Sequence, residues 1–300
     1  MGKTSNRIKR VMRSGVWFVV PAILVIGLLL LYPVGSSILY SFTSKHLIKA
    51  NWKWVGVKNY VAILSDPDFW HSLLTNIKWT ITSLLCQLIV GFSAAMALER
   101  IKKAKGLYRT MLIVPWAFPS IVIALSWKWI LNGVSGFLPH LLVKLGICQT
   151  LPQFLTSGNS AFWTLVFINT WFGAPLIMVN VVSALQTVPK DQYEAAQIDG
   201  ASSFQSFLNI TVPHIKTVVG LLVVLRTIWV FNSFDMIYLI TGGGPGGATE
   251  TVPIYAYNIG WGLKQLGKSS AVTVILLGFL LIVCSMYFRI LNKWEKEDNG

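Results

Sequence analysis

The stretch YEAAQIDGASSFQSFLNITVPHI, Tyr193 to Ile215, lies between two long apolar runs and decides how the rest of the chain is read. It is too polar for a bilayer core and too rich in helix punctuation for a slack linker. Pro189 suits the start of a helix, and Asp191 and Glu194 have capping-box spacing. A short helix is therefore predicted over 191–199, stopped at Gly200. A second start follows at Ser202, with Gln205 three residues on. Phe204, Phe207, Leu208 and Thr211 then fall at i, i+3, i+4 and i+7, a stripe down one helix face. Pro213 closes the unit. The expected form is helix–turn–helix. Ala195 and Ala196 are small enough to let another protein approach the backbone. Two readings stay open on these residues alone: a docking surface for a partner, or an elbow packed on the chain's own membrane segments, with Glu194 only a cap.

The 300-residue chain is 54% hydrophobic and 12% charged, with a mean hydropathy of +0.61. A soluble domain carries about twice that charged fraction. Six apolar stretches, at about 16–42, 74–98, 109–131, 161–185, 214–240 and 270–291, are long enough to cross a bilayer as helix. They are apolar on all sides and longer than the roughly ten alternating residues of a barrel strand, which argues against a β-barrel. The first has an apolar core, Val16 through Tyr32, longer than that of a secretory leader, so a retained anchor is expected. The predicted fold class is an all-α membrane protein with six transmembrane helices.

The net charge of +14 reads as topology rather than as a nucleic-acid surface. With the N-terminus placed in the cytoplasm, fifteen of the 25 Lys and Arg fall in inner segments, beginning with Lys3, Arg7, Lys9, Arg10 and Arg13. Seven fall in outer loops, and Lys78, Lys128 and Arg226 lie within spans. That excess is the positive-inside pattern, with both termini cytoplasmic. Cys86, Cys148 and Cys284 have neither disulfide nor metal spacing. His46, His71, His140 and His214 lie in loops or at span edges and form no catalytic cluster with carboxylates.

One motif is a decoy. GLKQLGKS, Gly262 to Ser269, satisfies the P-loop pattern letter by letter, but it falls in an outer loop with no strand before it and no acidic strand after it. Asn209-Ile210-Thr211 fits a glycosylation sequon on the cytoplasmic side, and Gly242–Gly247 reads as a tight turn. The chain thus has no ATPase of its own, and no cofactor or metal is expected on it. Uphill transport would need a separate motor.

Polar groups cluster in spans three to five. Span three carries Pro115, Trp116, Pro119 and Ser120; two prolines four apart bend a helix, which is tolerated where the bend lines protein or a cavity. Span four carries Asn169, Trp171, Phe172, Gly173 and Pro175, and span five Arg226, Trp229, Asn232, Ser233 and Asp235. Arg226, Trp229, Val230 and Ser233 share one helical face. Aromatic faces with amides and hydroxyls suit a sugar, though Trp and Asn also join helices to one another. A central arginine costs about 2.5–3.5 kcal/mol on insertion scales. Arg226 therefore needs a partner, and Asp235 is out of phase with it on the same helix. Two partners stay open: an anionic or heavily hydroxylated solute such as a uronate-bearing oligosaccharide, or a partner subunit.

The residues EAAQIDGASSFQSFLNITVP closely resemble the EAA loop of permease subunits in bacterial ABC importers. The match falls on Glu194, Ala195, Ala196, Asp199, Gly200, Ala201, Ile210 and Pro213, and departs at Val212, where leucine is usual. Four further blocks, Val55–Asn76, Tyr108–Ser120, Asn169–Leu176 and Phe234–Thr251, resemble the maltose-type sugar permeases. The last, ending in the TGGGP turn, separates that class from amino-acid, peptide and metal permeases. The resemblance implies the type I importer permease fold, with 189–213 as a coupling helix inserted into the ATPase subunit. Glu194 would meet a basic group there, and Gly200 would allow the turn. It also implies a solute cavity at Trp116, Ser120, Asn169, Phe172, Gly173, Leu176, Arg226, Val230 and Ser233.

The expected protein is a multi-pass subunit of the bacterial inner membrane: a cytoplasmic segment over 1–15, a six-span permease domain over 16–291 and a cytoplasmic tail over 292–300. Its expected partners are a second, similar permease, two ATPase subunits carrying ATP and Mg, a solute-binding protein outside and membrane lipid, but no nucleic acid. The solute is a sugar or oligosaccharide. Rival readings are the same architecture for a polyamine or phosphate ester, and an ion-driven secondary transporter, for which only Asp235 offers a coupling acid. A membrane-embedded enzyme is the third.

Overall fold

The computed structural model describes residues 19–101 and 103–298, with side chains as far as 294. The segment over 1–15, the start of the first span, Lys102 and the side chains at the end of the tail lie outside the described residues. Every long element is helical, and the one β-like contact among the described residues is an isolated bridge between Thr43 and Trp54.

Helix α1 spans Val19–Ser41 and includes a wide π-type turn at Gly27–Leu31. A short α2, Lys58–Leu64, precedes α3, Pro67–Arg100. At 1.5 Å per residue α3 is about 50 Å long, well beyond a bilayer core. Helix α4, Lys105–Ile113, tightens through Val114–Ala117 and is followed by α5, Ser120–Ile130, at an angle of 90°. Then come α6, Phe137–Lys144, and α7, Gly158–Leu185. Helix α8 is Lys190–Ile198, and α9, Ser203–Ser206, passes through a wide turn into α10, Val212–Phe231. The chain ends with α11, Asp235–Thr241, α12, Val252–Tyr257, and α13, Leu266–Asp298. Five of the helical stretches are long and apolar enough to cross a membrane, and α4 with α5 make a sixth as one broken span.

The third span is broken, as its two prolines predict, and the fifth differs from expectation. The third is sharply broken because Phe118 is extended (φ −91°, ψ 147°), as the residue before a proline tends to be. The fifth was expected to run unbroken over 214–240 but stops at Phe231 and restarts at Asp235. No proline forces that break; the cause lies in α3, as described below.

The chain divides into two compact units. In one, the described residues up to Asp66 join Ala256–Leu277. There Asn59 Nδ2 donates to the carbonyls of Ser41 and Thr43 at 2.8 Å each. The amide of Gly267 donates to Lys45 O at 2.8 Å. The other unit, Pro67–Tyr255 with the chain from Gly278 onward, has α3 laid along α7 as its main pairing. Its core gathers Trp79, Phe162, Leu165, Ile168 and Ile237. Close approach needs Gly91 on α3, where a Cβ would sit 2.7 Å from Ile177 on α7.

Replacing Gly91 with leucine should therefore wedge α3 from α7 at a cost of about 1–3 kcal/mol, read as a lower melting temperature of the purified protein in detergent. Gly278→Leu, where nothing lies within 4 Å, is the control. Equal melting temperatures for the two variants would refute this packing account.

Candidate functional site

The loop between α7 and α10 folds as two helices with a tight stop between them. Gly200 has φ +75°, a conformation open to glycine and strained for other residues. Its amide donates to Gln197 O at 3.1 Å, and that of Ala201 to Ala196 O at 2.9 Å. This pair of bonds is the Schellman pattern. Ser202 and Gln205 form the expected capping box. Asp191 and Glu194 do not: the first helix begins at Lys190 with Pro189 as its cap residue and no side-chain cap. The stripe of Phe204, Phe207, Leu208 and Thr211 is also broken up, because Phe207–Thr211 form a wide turn rather than an α-helical one.

Anchorage is one-sided. The Tyr193 hydroxyl bonds the Thr211 hydroxyl at 2.7 Å, and the Tyr193 ring packs on a cluster of Ala184, Val188 and Ile215. Glu194, Ala195, Asp199 and Gly200 are exposed and Ala196 is half-buried. Ile198 is 87% exposed and Phe204 68%. Behind the loop lies a cavity of about 550 Å³ with Glu99, Lys105, Tyr193 and Phe207 in its wall. Glu99 and Lys105 pair at 2.7 Å.

The second feature is the break in the fifth span. A helix end leaves carbonyls without partners, and a bilayer core supplies none. The amide of Ser233 donates to Val230 O at 3.1 Å, and helix α3 supplies further donors. Trp79 Nε1 donates to Val230 O at 3.1 Å and Asn76 Nδ2 to Phe231 O at 3.3 Å. Asn232 Nδ2 turns back to Ile228 O at 2.8 Å. At the far end of α11, Lys128 Nζ donates to Leu239 O at 2.8 Å. Lys78 Nζ lies 4.5 Å from the Phe162 ring centroid, a cation–π contact.

Around this break is a cavity of about 270 Å³. Of the expected cavity residues it brings together Ser120, Asn169, Phe172, Arg226, Val230 and Ser233; Trp229, Asn232 and Asp235 also line it. Trp116 is not in its wall and lies in the tight turn before the 90° bend. Leu176 is likewise outside the lining. Gly173 lies behind it, where a Cβ would collide with the Arg226 guanidinium and the Gln87 amide. Ser120 donates to the Asp235 carboxylate at 3.3 Å. Arg226 is 5% exposed, and its Nε and Nη2 donate to Gln87 Oε1 at 3.1 and 2.6 Å. Among the described residues, no group of three or more His, Cys, Asp and Glu is placed to hold a metal. Gly262–Ser269 leads from a helical turn at Asn258–Gly262 into α13, the wrong setting for a phosphate-binding loop.

Residues 87–295 match the profile of the binding-protein-dependent transport system inner membrane components. The chain belongs to that family. It is 32% identical, over 96% of its own length and 96% of the relative's, to the trehalose/maltose transport system permease protein MalF of Thermococcus litoralis. It is 30% identical, over 93% and 86%, to the diacetylchitobiose uptake system permease protein DasB of Streptomyces coelicolor. In fold it is similar to a chain of a bacterial ABC transporter involved in the import of the acidic polysaccharide alginate, with a TM-score of 0.81 over 96% and 99% of the two chains at 18% identity. The type I importer fold expected of the sequence is the fold observed, in a multi-pass inner-membrane permease.

Sequence reading of this permease missed the polar edge of α3. Ser72, Asn76, Thr80, Ser83 and Gln87 recur every three or four residues in an apolar helix, and all are buried. That spacing is a legible signal of an inward face.

Trp79→Phe keeps the ring and removes the donor to Val230 O. Val230 O keeps the Ser233 amide as a partner, so the variant should cost about 0.5–1.5 kcal/mol, the net worth of one hydrogen bond, and speed hydrogen exchange across 230–236. Unchanged exchange there would show that the break holds without α3.

Proposed function

We propose that this chain is one transmembrane subunit of an ATP-driven, binding-protein-dependent importer of sugars or oligosaccharides. Its membrane domain covers 16–291, and the flanking segments 1–15 and 292–300 face the cytoplasm. A second, similar permease completes the pathway. The complex carries two ATPase subunits with ATP and Mg, one of which engages this chain at Glu194, Ala195, Ala196, Asp199 and Gly200, and a soluble binding protein delivers solute from outside.

The observation that carries this reading is the one-sided anchorage of α8. Tyr193 and Thr211 tie one face to the membrane helices, while Glu194 and Ile198 are left bare on the other. An isoleucine that exposed beside an acid suits a cleft in a partner, and a helix pinned by its back transmits a push. ATP-driven closure of the ATPases would move this helix and tilt the spans.

The sugar assignment draws on the relatives named for trehalose, maltose and diacetylchitobiose transport, and on the cavity's mixture of Phe172, Trp229, Asn169 and Ser120. Rings stack on sugar faces, and amide and hydroxyl groups bond sugar hydroxyls.

In vesicles carrying the full complex and its binding protein, sugar uptake should require internal or external ATP on the side of α8. Glu194→Arg and Gly200→Val should each lower uptake per ATP hydrolysed by about tenfold, within the usual span of intersite coupling. Uptake driven by an ion gradient without ATP, or full coupling in both variants, would overturn the reading.

A further inference from the structure

Gln87 does two jobs at one point. Its side chain is fully buried. Its Nε2 donates to the backbone carbonyl of Asn169 at 3.0 Å, and this bond fixes which end of the amide faces Arg226. The Oε1 end accepts both Nε and Nη2 of that arginine. Gly173 leaves the space in which the two side chains meet. Three helices, α3, α7 and α10, are tied together by one amide.

The acceptor is neutral. A buried guanidinium usually meets a carboxylate, whose two oxygens match its planar fork. Gln87 satisfies two of the five N–H donors and removes none of the charge. Trp229 adds only its ring, 5.7 Å from the guanidinium carbon. Asp235 lines the same cavity, yet its carboxylate accepts from Ser120, and among the described residues no ion pair joins it to Arg226. A second donor is also unmet: Asn169 lines the cavity, and its buried Nδ2 has no hydrogen-bond partner. A cation without an ion pair among the described residues and an unpartnered amide donor thus lie at one cavity, and Gln87 touches the residues that carry both.

We propose that Gln87 is a positioning residue for solute charge: it holds Arg226 in place without neutralising it, so that the cavity accepts a sugar bearing a carboxylate. The inference rests on the sugar-importer reading above. A carboxylate on the solute would take the remaining guanidinium donors and the Asn169 amide, while Asp235 and Ser120 are left for sugar hydroxyls. Attraction in a site shielded from water is far stronger than at a surface, so one unpaired arginine is enough to set a preference.

The test is Gln87→Glu, which keeps the shape and pairs the arginine internally. Uptake of a uronic-acid disaccharide and of the corresponding neutral disaccharide is measured in vesicles with the complete complex and the same binding protein. The wild-type complex should import both and favour the acidic one. In the variant, the acidic-to-neutral ratio of apparent affinities should fall by about tenfold or more, the scale of one lost charge pair. A merely structural Gln87 would leave that ratio at its wild-type value, and this result overturns the proposal. If Gln87→Glu does not assemble, Gln87→Asn takes its place: the shorter amide loses its reach to Arg226, and the same ratio should fall by about threefold or more. An unchanged ratio there rejects the proposal equally. Import of neither disaccharide by the wild-type complex would remove the sugar reading and this inference together, whereas import of both with no effect in the variant removes this inference alone.

Discussion

A bilayer core has no water to offer, so each backbone group freed by a broken helix must find its partner within protein. This constraint governs the central part of the molecule. The fifth span stops at Phe231; Trp79 on the second span bonds Val230 O alongside the local Ser233 amide, and Asn76 bonds Phe231 O. Lys128 closes the far end of the short helix that follows. The break is therefore a built feature and not a weakness. It makes room for a cavity whose wall includes the residues at the break and several polar side chains. Irregular backbone is tolerated in membranes where it lines such a space.

The same helix that satisfies the break also sets the electrostatics of the cavity. The polar edge of α3 runs from Ser72 to Gln87, and its last member reaches the buried Arg226. A polar side chain at this depth is costly unless it has work to do. Asn76 and Gln87 repay that cost by bonding groups that lipid would leave bare. The arrangement explains why α3, rather than a helix with more conspicuous motifs, forms the main pairing with α7. It also explains why Gly91 and Gly173 lie on that pairing, since the two backbones must come close for one amide to span them.

Much of this was readable from the chain alone, and for definite reasons. Apolar length located the spans because a bilayer imposes length directly. The Gly200 stop and the Ser202–Gln205 cap were readable because both are local devices, fixed by residues within one turn of each other. The 90° break of span three followed from Pro115 and Pro119. Failures came where a distant residue decides the outcome. Nothing near Phe231 forbids helix; the break depends on donors about 150 positions earlier. Asp191 and Glu194 had capping spacing but no capping bond, because the helix starts one residue before Asp191. Arg226 was rightly singled out as unable to stand alone, yet its acceptor came from a span whose amide attracted no notice. Trp116 and Leu176 carry the family pattern but lie outside the cavity's lining, since a shared motif does not specify which side of a bent helix its residues face.

The two polar regions of the larger unit are joined by stiff elements rather than by loops. Helix α10 carries Arg226 and Val230 at one end, and at the other it begins directly after the wide turn that holds Thr211. Thr211 in turn holds Tyr193 and hence the exposed helix. A force applied at Glu194 and Ile198 therefore reaches the cavity through about twenty residues of continuous helix, close to 30 Å at 1.5 Å per residue. A helix of that length bends little unless something interrupts its ladder, and α10 runs unbroken from the wide turn at Phe207–Thr211 to Phe231, beside the cavity. Motion delivered from the loop is thus delivered where the backbone is already released. The released backbone lies at the cavity, and the continuous helix lies between the cavity and the exposed α8.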